Sequence, residues 1–133
     1  MTRDPSHRPM PSHCLTLETV FSAAHAIVIG GEREPVHGHD WRVAVRIGGD
    51  TLDADGLLVD FHKILHDLRA IVEPWHNRSL NEVEPFDAVN PTAELVAQTI
   101  GERLAKTLPD GVRVVSARVT EAVGCAAEYW PQR

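Results

Sequence analysis

The sequence predicts an α+β domain in which helices cover one face of an antiparallel sheet. Two segments in the first half alternate apolar and polar residues with the period of a strand. Two later segments repeat apolar residues with the period of a helix. A β-branched segment near the C-terminus, residues 112–121, is typical of a central strand. Elements that are each apolar on one side bury those sides most economically as two layers.

Length, composition and charge fit one cytoplasmic globular domain. The chain has 133 residues, of which 43% are hydrophobic and 24% charged. Its net charge is −6 and it has no basic block, so nucleic acid is not an expected partner. No apolar run approaches the roughly 18 residues of a membrane span, so a membrane is not expected either. Two cysteines make no disulfide framework, and no charged-then-apolar leader opens the chain.

The first quarter of the chain predicts a tail and one strand. Residues 1–13 hold three prolines and few apolar side chains, which predicts a disordered tail before a domain at 14–133. From Leu15 onward the odd positions share an apolar face, and this face reaches His25. Residues 26–36 contain a glycine pair and a proline, which predicts a loop.

A second strand follows this loop directly. Its odd positions from Trp41 to Ile47 are apolar, and His37 and His39 extend the same face. Beyond a turn-forming stretch, the apolar run 57–59 is a candidate for a third strand.

The second half predicts two helices and further strands. Asp60 is placed to cap a helix whose apolar stripe runs from Phe61 to Val72 and stops before Pro74. Asn90 is placed to cap a second helix, with Pro91 at its first position and an end at residues 109–111. The β-branched strand follows, and residues 126–130 predict a last short strand.

The eight histidines suggest a metal site. Imidazoles two residues apart on a strand project from the same face, so His37 and His39 can reach one metal ion. The eleven-residue connection from 26 to 36 can bring His25 opposite them. Three imidazoles without a thiolate are the ligand set of a catalytic zinc with one open position.

Other interpretations of the same residues stay open. Taken alone, His37 and His39 could equally be two partly exposed histidines at the end of a strand that bind no metal. His62 and His66 form a second pair with helical i, i+4 spacing, but their position beside charged residues favours a solvated helix face. Cys125 lacks a basic neighbour, and a small buried cysteine is the commoner situation.

Several short motifs occur together in a distinctive order. With these motifs the chain resembles the 6-pyruvoyl-tetrahydropterin synthase and 6-carboxytetrahydropterin synthase family over residues 15–130. The motifs are FSAAH (21–25), HGHDW (37–41), GLLVDF (56–61), NPTAE (90–94) and VTE (119–121).

This resemblance implies a fold, an assembly and a ligand set. The fold is the tunnelling fold, with a four-stranded antiparallel sheet, two helices on one side, and two stacked trimers forming a homohexamer. Zinc is held by the three histidines that match His25, His37 and His39. The pterin ring of a substrate such as 7,8-dihydroneopterin triphosphate is held by Glu121, assisted by the start of the second helix around Thr92. The site is shared between subunits.

The chain departs from the family at its proton-transfer residues. Typical members have a cysteine four residues before H-G-H, where this chain has Arg33. They also have an Asp-His pair where this chain has His76 and Asn77. A subgroup associated with retro-aldol cleavage instead has a glutamate three residues before H-G-H, which Glu34 matches. We therefore expect Glu34 as the general base and His76 as the second proton-transfer group, against the alternatives of a solvated loop glutamate and a loop histidine.

The sequence thus favours a zinc-dependent lyase that cleaves the side chain of a dihydropterin in an aldolase-like reaction. One alternative is a reaction of the 6-carboxytetrahydropterin synthase type, in deazapurine synthesis or a specialised pathway. Another is a zinc-containing protein that binds a pterin without turnover.

Overall fold

A computed structural model describes residues 9–131 and contains two α-helices and a five-stranded, mostly antiparallel sheet. The predicted α+β class is confirmed. In chain order the elements are β1 His13–His25, β2 Val28–Ile29, β3 Glu32–Arg33, β4 His37–Gly49, α1 Phe61–Val72, β5 Arg78–Ser79, α2 Ala93–Ala105, β6 Arg113–Ala122 and β7 Cys125–Tyr129. No helix within residues 9–131 is long and apolar enough to cross a membrane.

The sheet has the strand order β5-β1-β4-β6-β7. The four strands implied by the family resemblance are β1, β4, β6 and β7, and each neighbouring pair is antiparallel. The two-residue strand β5 is added in parallel to the outer edge of β1. The prediction that β6 lies inside the sheet is confirmed, since it pairs with β4 on one side and β7 on the other. The short strands β2 and β3 form a separate ribbon.

The core lies between one face of the sheet and the two helices. Odd-numbered residues of β1 and β4 face the helices, as their alternation predicted. Phe21 and Trp41 stack at 5.8 Å between ring centroids, and Trp75 packs at an angle against Phe21. The other fully buried side chains include Val43, Val45, Ile47, Ile64, Leu68, Leu80, Ile100 and Leu104.

The first helix follows its predicted boundaries. Asp60 caps it by accepting a hydrogen bond from the His62 amide, and Pro74 lies just past its end. Ile64 and Leu68 are fully buried, but Phe61, the first residue of the predicted stripe, is 48% exposed. The stripe therefore begins one turn later than the sequence indicates.

The second helix differs from its prediction at both ends. It begins at Ala93, and Thr92 rather than Asn90 is the N-cap, because the Thr92 hydroxyl accepts the Leu95 amide. The Asn90 side chain instead bonds the backbone of Val28. The helix ends at Ala105, four residues before the predicted stop, and the Thr107 hydroxyl then bonds the carbonyl of Leu104.

Three further expectations are corrected. The run 57–59 is not a strand, because the backbone of Leu57 is used in a turn with Asp53 while Leu58 packs on Gly49. The loop 26–36 contains the β2–β3 ribbon, closed by two glycines with positive φ. The residue expected to be buried, Cys125, is exposed.

The predicted tail, residues 1–13, falls only partly within the described chain, since residues 1–8 lie outside it. At its other end His13 is the first residue of β1 and pairs with Gly49. The Ser12 amide donates a hydrogen bond to Asp50.

Candidate functional site

The sheet brings four polar side chains to one point at the end of β1. His25 is the last residue of β1 and pairs with His37, the first residue of β4. His39 follows two residues later on the same face, and Glu121 comes from the neighbouring strand β6. One ligand atom from each of the four residues lies within 4.8 Å of the others. We call these four residues the histidine–glutamate cluster.

The nitrogen atoms of the three rings meet around a single carboxylate oxygen. Nε2 of His25 lies 3.1 Å from Nε2 of His37. Oε1 of Glu121 lies 2.9 Å from Nε2 of His25, 3.0 Å from Nε2 of His39 and 3.8 Å from Nε2 of His37. A carboxylate only accepts hydrogen bonds, and a neutral imidazole donates through just one of its nitrogens. The cluster therefore concentrates electron pairs on a point where a cation would be stabilised.

Backbone carbonyls fix the orientation of two of the rings. Nδ1 of His25 lies 2.8 Å from the carbonyl oxygen of Pro91, and Nδ1 of His37 lies 3.0 Å from that of Pro35. Because a carbonyl can only accept, the Nδ1 atoms carry the protons of the neutral rings, and the Nε2 lone pairs point into the cluster. Such carbonyl contacts are the usual outer support of metal-binding histidines.

The third ring, that of His39, favours its neutral form. Nε2 of His39 is buried and has no hydrogen-bond partner among the described residues, although Glu121 is 3.0 Å away. Burial lowers the pKa of His39, and the neighbouring His37 and His25 act in the same direction, while Glu121 opposes them. A neutral ring with a free, buried nitrogen is the form in which histidine binds a metal.

The cluster is closed on one side and open on the other. His25 is 1% exposed, and its ring packs edge-on against Trp41 at 4.8 Å between centroids. Glu121 is 25% exposed and His37 is 40% exposed. A bound ion would therefore be reached from the side of His37 and Glu121.

Glu34, the predicted base, lies behind His37. Its Oε1 accepts a hydrogen bond from the Ile27 amide at 3.1 Å and lies 3.7 Å from Nδ1 of His37. The opposite ring nitrogen of His37 faces the cluster. Arg33, at the position of the family's cysteine, is exposed on β3.

His76 lies outside the cluster, along the outer edge of β1. Its Nδ1 accepts a hydrogen bond from the Ser22 amide at 3.1 Å, and the next residue, Asn77, donates to the Ser22 carbonyl. An open groove of about 620 Å³ runs along this edge and is lined by Ser22, His39 and Arg78 among others. His76 is therefore not one of the four clustered residues, although its neighbour Asn77 lines the same groove as His39.

Thr92 is held in a structural role by its hydroxyl, which caps α2. It is next to Pro91, whose carbonyl supports His25. The competing pair is not a site: the His62 and His66 side chains are 96% and 83% exposed and contact Asp60 and Asp67.

The sequence did not reveal some of the supporting contacts. Pro91 was interpreted only as the first residue of a helix, yet its carbonyl orients His25. Asn81 bonds both backbone groups of Ala26, directly after His25. Nothing in the local pattern around Asn81 indicates this contact.

Comparisons with known proteins agree with this fold. The family model described as 6-pyruvoyl tetrahydropterin synthase matches residues 14–132. A dihydroneopterin monophosphate aldolase of Pyrococcus furiosus is 35% identical over 94 residues, covering 71% of this chain and 76% of that protein. A 6-carboxy-5,6,7,8-tetrahydropterin synthase of Bacillus subtilis is 32% identical over 125 residues, covering 85% of this chain and 82% of that protein.

Solved structures share the architecture at lower sequence identity. The 6-pyruvoyl tetrahydropterin synthase of Caenorhabditis elegans matches 94% of this chain and 100% of its own, with a TM-score of 0.75 and 21% identity. A Plasmodium vivax 6-pyruvoyltetrahydropterin synthase, solved with a catalytic glutamate replaced by alanine, matches 91% of this chain and 98% of its own, with a TM-score of 0.72 and 18% identity. These matches confirm the tunnelling fold. The family model over residues 14–132 and the relatives above 30% identity show that the chain belongs to the 6-pyruvoyl tetrahydropterin synthase family.

Proposed function

We propose that the protein is a zinc-dependent lyase that cleaves the side chain of a dihydropterin in an aldolase-like reaction. The observation that carries this proposal is the convergence of three imidazole Nε2 atoms, two of them oriented by backbone carbonyls, on one partly open point. The named activity of the P. furiosus relative supports the aldolase-like reaction. 7,8-Dihydroneopterin triphosphate is the proposed substrate.

Zinc fits the donor set of the cluster. Three neutral imidazoles would be its ligands, from His25, His37 and His39, because borderline metals of this kind favour nitrogen donors and keep a position open in catalytic sites. When bound there, the ion would supply a Lewis acid that polarises the oxygens of the substrate side chain.

Glu34 is the proposed general base. It would take the proton from the hydroxyl on the second side-chain carbon, after which the bond between the first and second carbons breaks. The second carbon leaves as an aldehyde, and the bonding electrons move into the pterin ring system. The glutamate named as catalytic in the P. vivax protein supports a carboxylate in such a role.

His76 is the proposed donor that returns a proton to the first carbon. It lies at the outer edge of β1 and is not one of the four clustered residues, and we propose that it serves a site shared with a neighbouring subunit. The product would then be a 6-hydroxymethyl-dihydropterin.

Glu121 is proposed to hold the ring of the substrate. Its carboxylate has two oxygens, which match the ring N–H and the exocyclic amine of a pterin. Thr92, at the start of α2, would assist. In this structure the carboxylate turns toward the histidines, so a fourth place among the metal ligands is the competing role.

A 6-carboxytetrahydropterin synthase reaction is the second candidate. The B. subtilis relative with that name covers more of the chain than the aldolase does. The absence of the usual cysteine, replaced by exposed Arg33, favours the aldolase-like reaction over it. A binding protein without turnover is a third candidate because Asn77 also replaces the usual histidine.

We also propose that the chain works as a homohexamer of two stacked trimers in the cytoplasm. Among residues 9–131, the two-residue strand β5 is the one strand that pairs with the outer edge of β1, and β7 forms the opposite edge of the sheet. Pairing with neighbouring subunits would satisfy these open edges.

Zinc content tests the metal ligands. The purified protein is expected to hold one zinc per chain, and His37→Ala is expected to lose most of it because one of three ligands is removed. Elemental analysis after dialysis measures both. His62→Ala is the matched control, since this exposed histidine should leave the zinc content unchanged. Full zinc content in His37→Ala would remove His37 from the ligand set.

Product identification tests the reaction. Zinc-loaded protein is incubated with 7,8-dihydroneopterin triphosphate, and with the monophosphate in parallel, and the products are identified by mass. We expect 6-hydroxymethyl-dihydropterin and a two-carbon aldehyde that carries the phosphate. Protein treated with a chelator is the control. A 6-carboxytetrahydropterin product would favour the second candidate, and tight binding without any product would favour the third.

The variants Glu34→Gln and Glu121→Gln should fail in different ways. Glu34→Gln should lower kcat by on the order of a hundredfold to ten-thousandfold while a dihydropterin still binds, because a base acts in the transition state. Glu121→Gln should weaken dihydropterin binding, as measured by titration, and should keep its zinc. Loss of zinc in Glu121→Gln would instead make it a metal ligand. Wild-type turnover in Glu34→Gln would move the search for the base to His76.

Sedimentation tests the assembly. We expect a single species with the mass of six chains at micromolar concentration, because open strand edges favour closed association. A monomer at that concentration would contradict the proposed hexamer and the shared site for His76.

A further inference from the structure

The backbone amides and carbonyls of the three residues after His25, residues 26–28, are all hydrogen-bonded. On one side of this segment the partners are side chains rather than a neighbouring strand. Oδ1 of Asn81 accepts the Ala26 amide, and Nδ2 of Asn81 donates to the Ala26 carbonyl, both at 2.8 Å. Asn90 makes the same pair of bonds with the amide and carbonyl of Val28, both at 2.9 Å. We call Asn81 and Asn90 the asparagine clamp.

The residue between the two clamped positions is bound to Glu34. The Ile27 amide donates to Oε1 of Glu34 at 3.1 Å, and the Ile27 carbonyl accepts the Glu34 amide at 3.0 Å. In an extended chain, successive residues direct their amides and carbonyls to opposite edges. Ala26 and Val28 therefore face the clamp, whereas Ile27 faces Glu34.

The side-chain amide of asparagine can replace a peptide group in this arrangement. It carries one acceptor and a donor group side by side, as the backbone of a neighbouring strand would. The clamp thus acts as a substitute strand made of two side chains from distant loops, 55 and 62 residues away in sequence.

Hydrophobic packing contributes little to the position of the β2–β3 ribbon. Ala26 is fully buried, but Val28 and Ile29 are 46% and 66% exposed, so β2 itself buries little apolar surface. Beyond Ala26, the position of this segment therefore depends mainly on hydrogen bonds. It also determines where the Glu34 carboxylate lies, 3.7 Å from Nδ1 of His37.

We propose that Asn81 and Asn90 are positioning residues that fix the Ile27–Glu34 pair and thereby hold the Glu34 carboxylate beside the histidine–glutamate cluster. The catalytic consequence rests on the proposed role of Glu34 as the base. The structural part does not, since it concerns only where the carboxylate is held. Asn90 is free for this role because Thr92 caps α2 in its place.

Amide hydrogen exchange tests the positioning directly. Asn90→Ala is expected to increase the exchange rates of the Ile27 and Glu34 amides at least tenfold, because it leaves one edge of the ribbon unsupported. Gln98→Ala is the matched control, since it removes a side-chain amide that bonds Glu102 on α2, far along the chain from the ribbon. Unchanged exchange at both amides in Asn90→Ala would overturn the proposal.

A double-mutant cycle tests the catalytic consequence. Asn90→Ala should lower kcat about tenfold or more with KM and zinc content unchanged. In the Glu34→Gln background it should lower kcat no further, because the glutamine removes the base on which the clamp acts. Equal losses in the two backgrounds would show that Asn90 acts independently of Glu34 and would contradict the proposal.

Two additional variants keep the test decisive. Asn90→Asp retains the acceptor for the Val28 amide and loses the donor, so its exchange rates and kcat should lie between those of wild type and Asn90→Ala. Asn81→Ala removes the bonds to Ala26, the residue after His25, and should likewise increase the exchange rates of the Ile27 and Glu34 amides and lower kcat. If Glu34→Gln keeps wild-type turnover, the proposed base is wrong, and the exchange rates alone then decide whether the clamp positions Glu34.

Discussion

The antiparallel register of β1 and β4 is the constraint on which the rest of the site depends. It pairs His25 with His37 and, four residues further into the sheet, Phe21 with Trp41. Side chains alternate between the two faces, so a shift of the register by one residue would move one partner of each pair to the other face. The apolar face that anchors this register is buried against both helices. Hydrophobic packing thus fixes the register, and the register in turn fixes the positions of the polar side chains in the cluster.

Polar atoms gathered in this way are costly unless something satisfies them. The structure satisfies the outer nitrogens of His25 and His37 with carbonyls of Pro91 and Pro35. The inner nitrogens and the Glu121 oxygen are left facing one another, and Nε2 of His39 has no hydrogen-bond partner within residues 9–131. A shared cation would remove this penalty, which is why the arrangement is better explained as a binding site than as a polar core.

The strands and the loops contribute differently to the candidate site. The four clustered side chains come from the long, paired strands β1, β4 and β6, so the sheet fixes their backbone positions relative to one another. Glu34 comes from an exposed ribbon held by side-chain amides, and His76 from a segment beside the sheet edge. The departures from the family motif, at Arg33, His76 and Asn77, all fall in these connecting segments. Variation there changes the side chains that we propose for proton transfer and leaves the register of β1 and β4 in place.

The sequence by itself determined the α+β class, the faces of the strands, the two helices and the three histidines, because each depends on a local period or a short motif. It placed the cap of α2 at Asn90 and a strand at 57–59, and both were wrong. The Asn90 side chain bonds Val28, 62 residues away, which no local pattern indicates. Leu57 donates its amide to Asp53 in a local turn, a signal that the apolar run 57–59 obscured. Glu121 was predicted to hold the ring of the substrate. Its position among the histidines follows from the pairing of β4 with β6. The asparagine clamp joins residues more than fifty positions apart, so only the tertiary structure could bring it together.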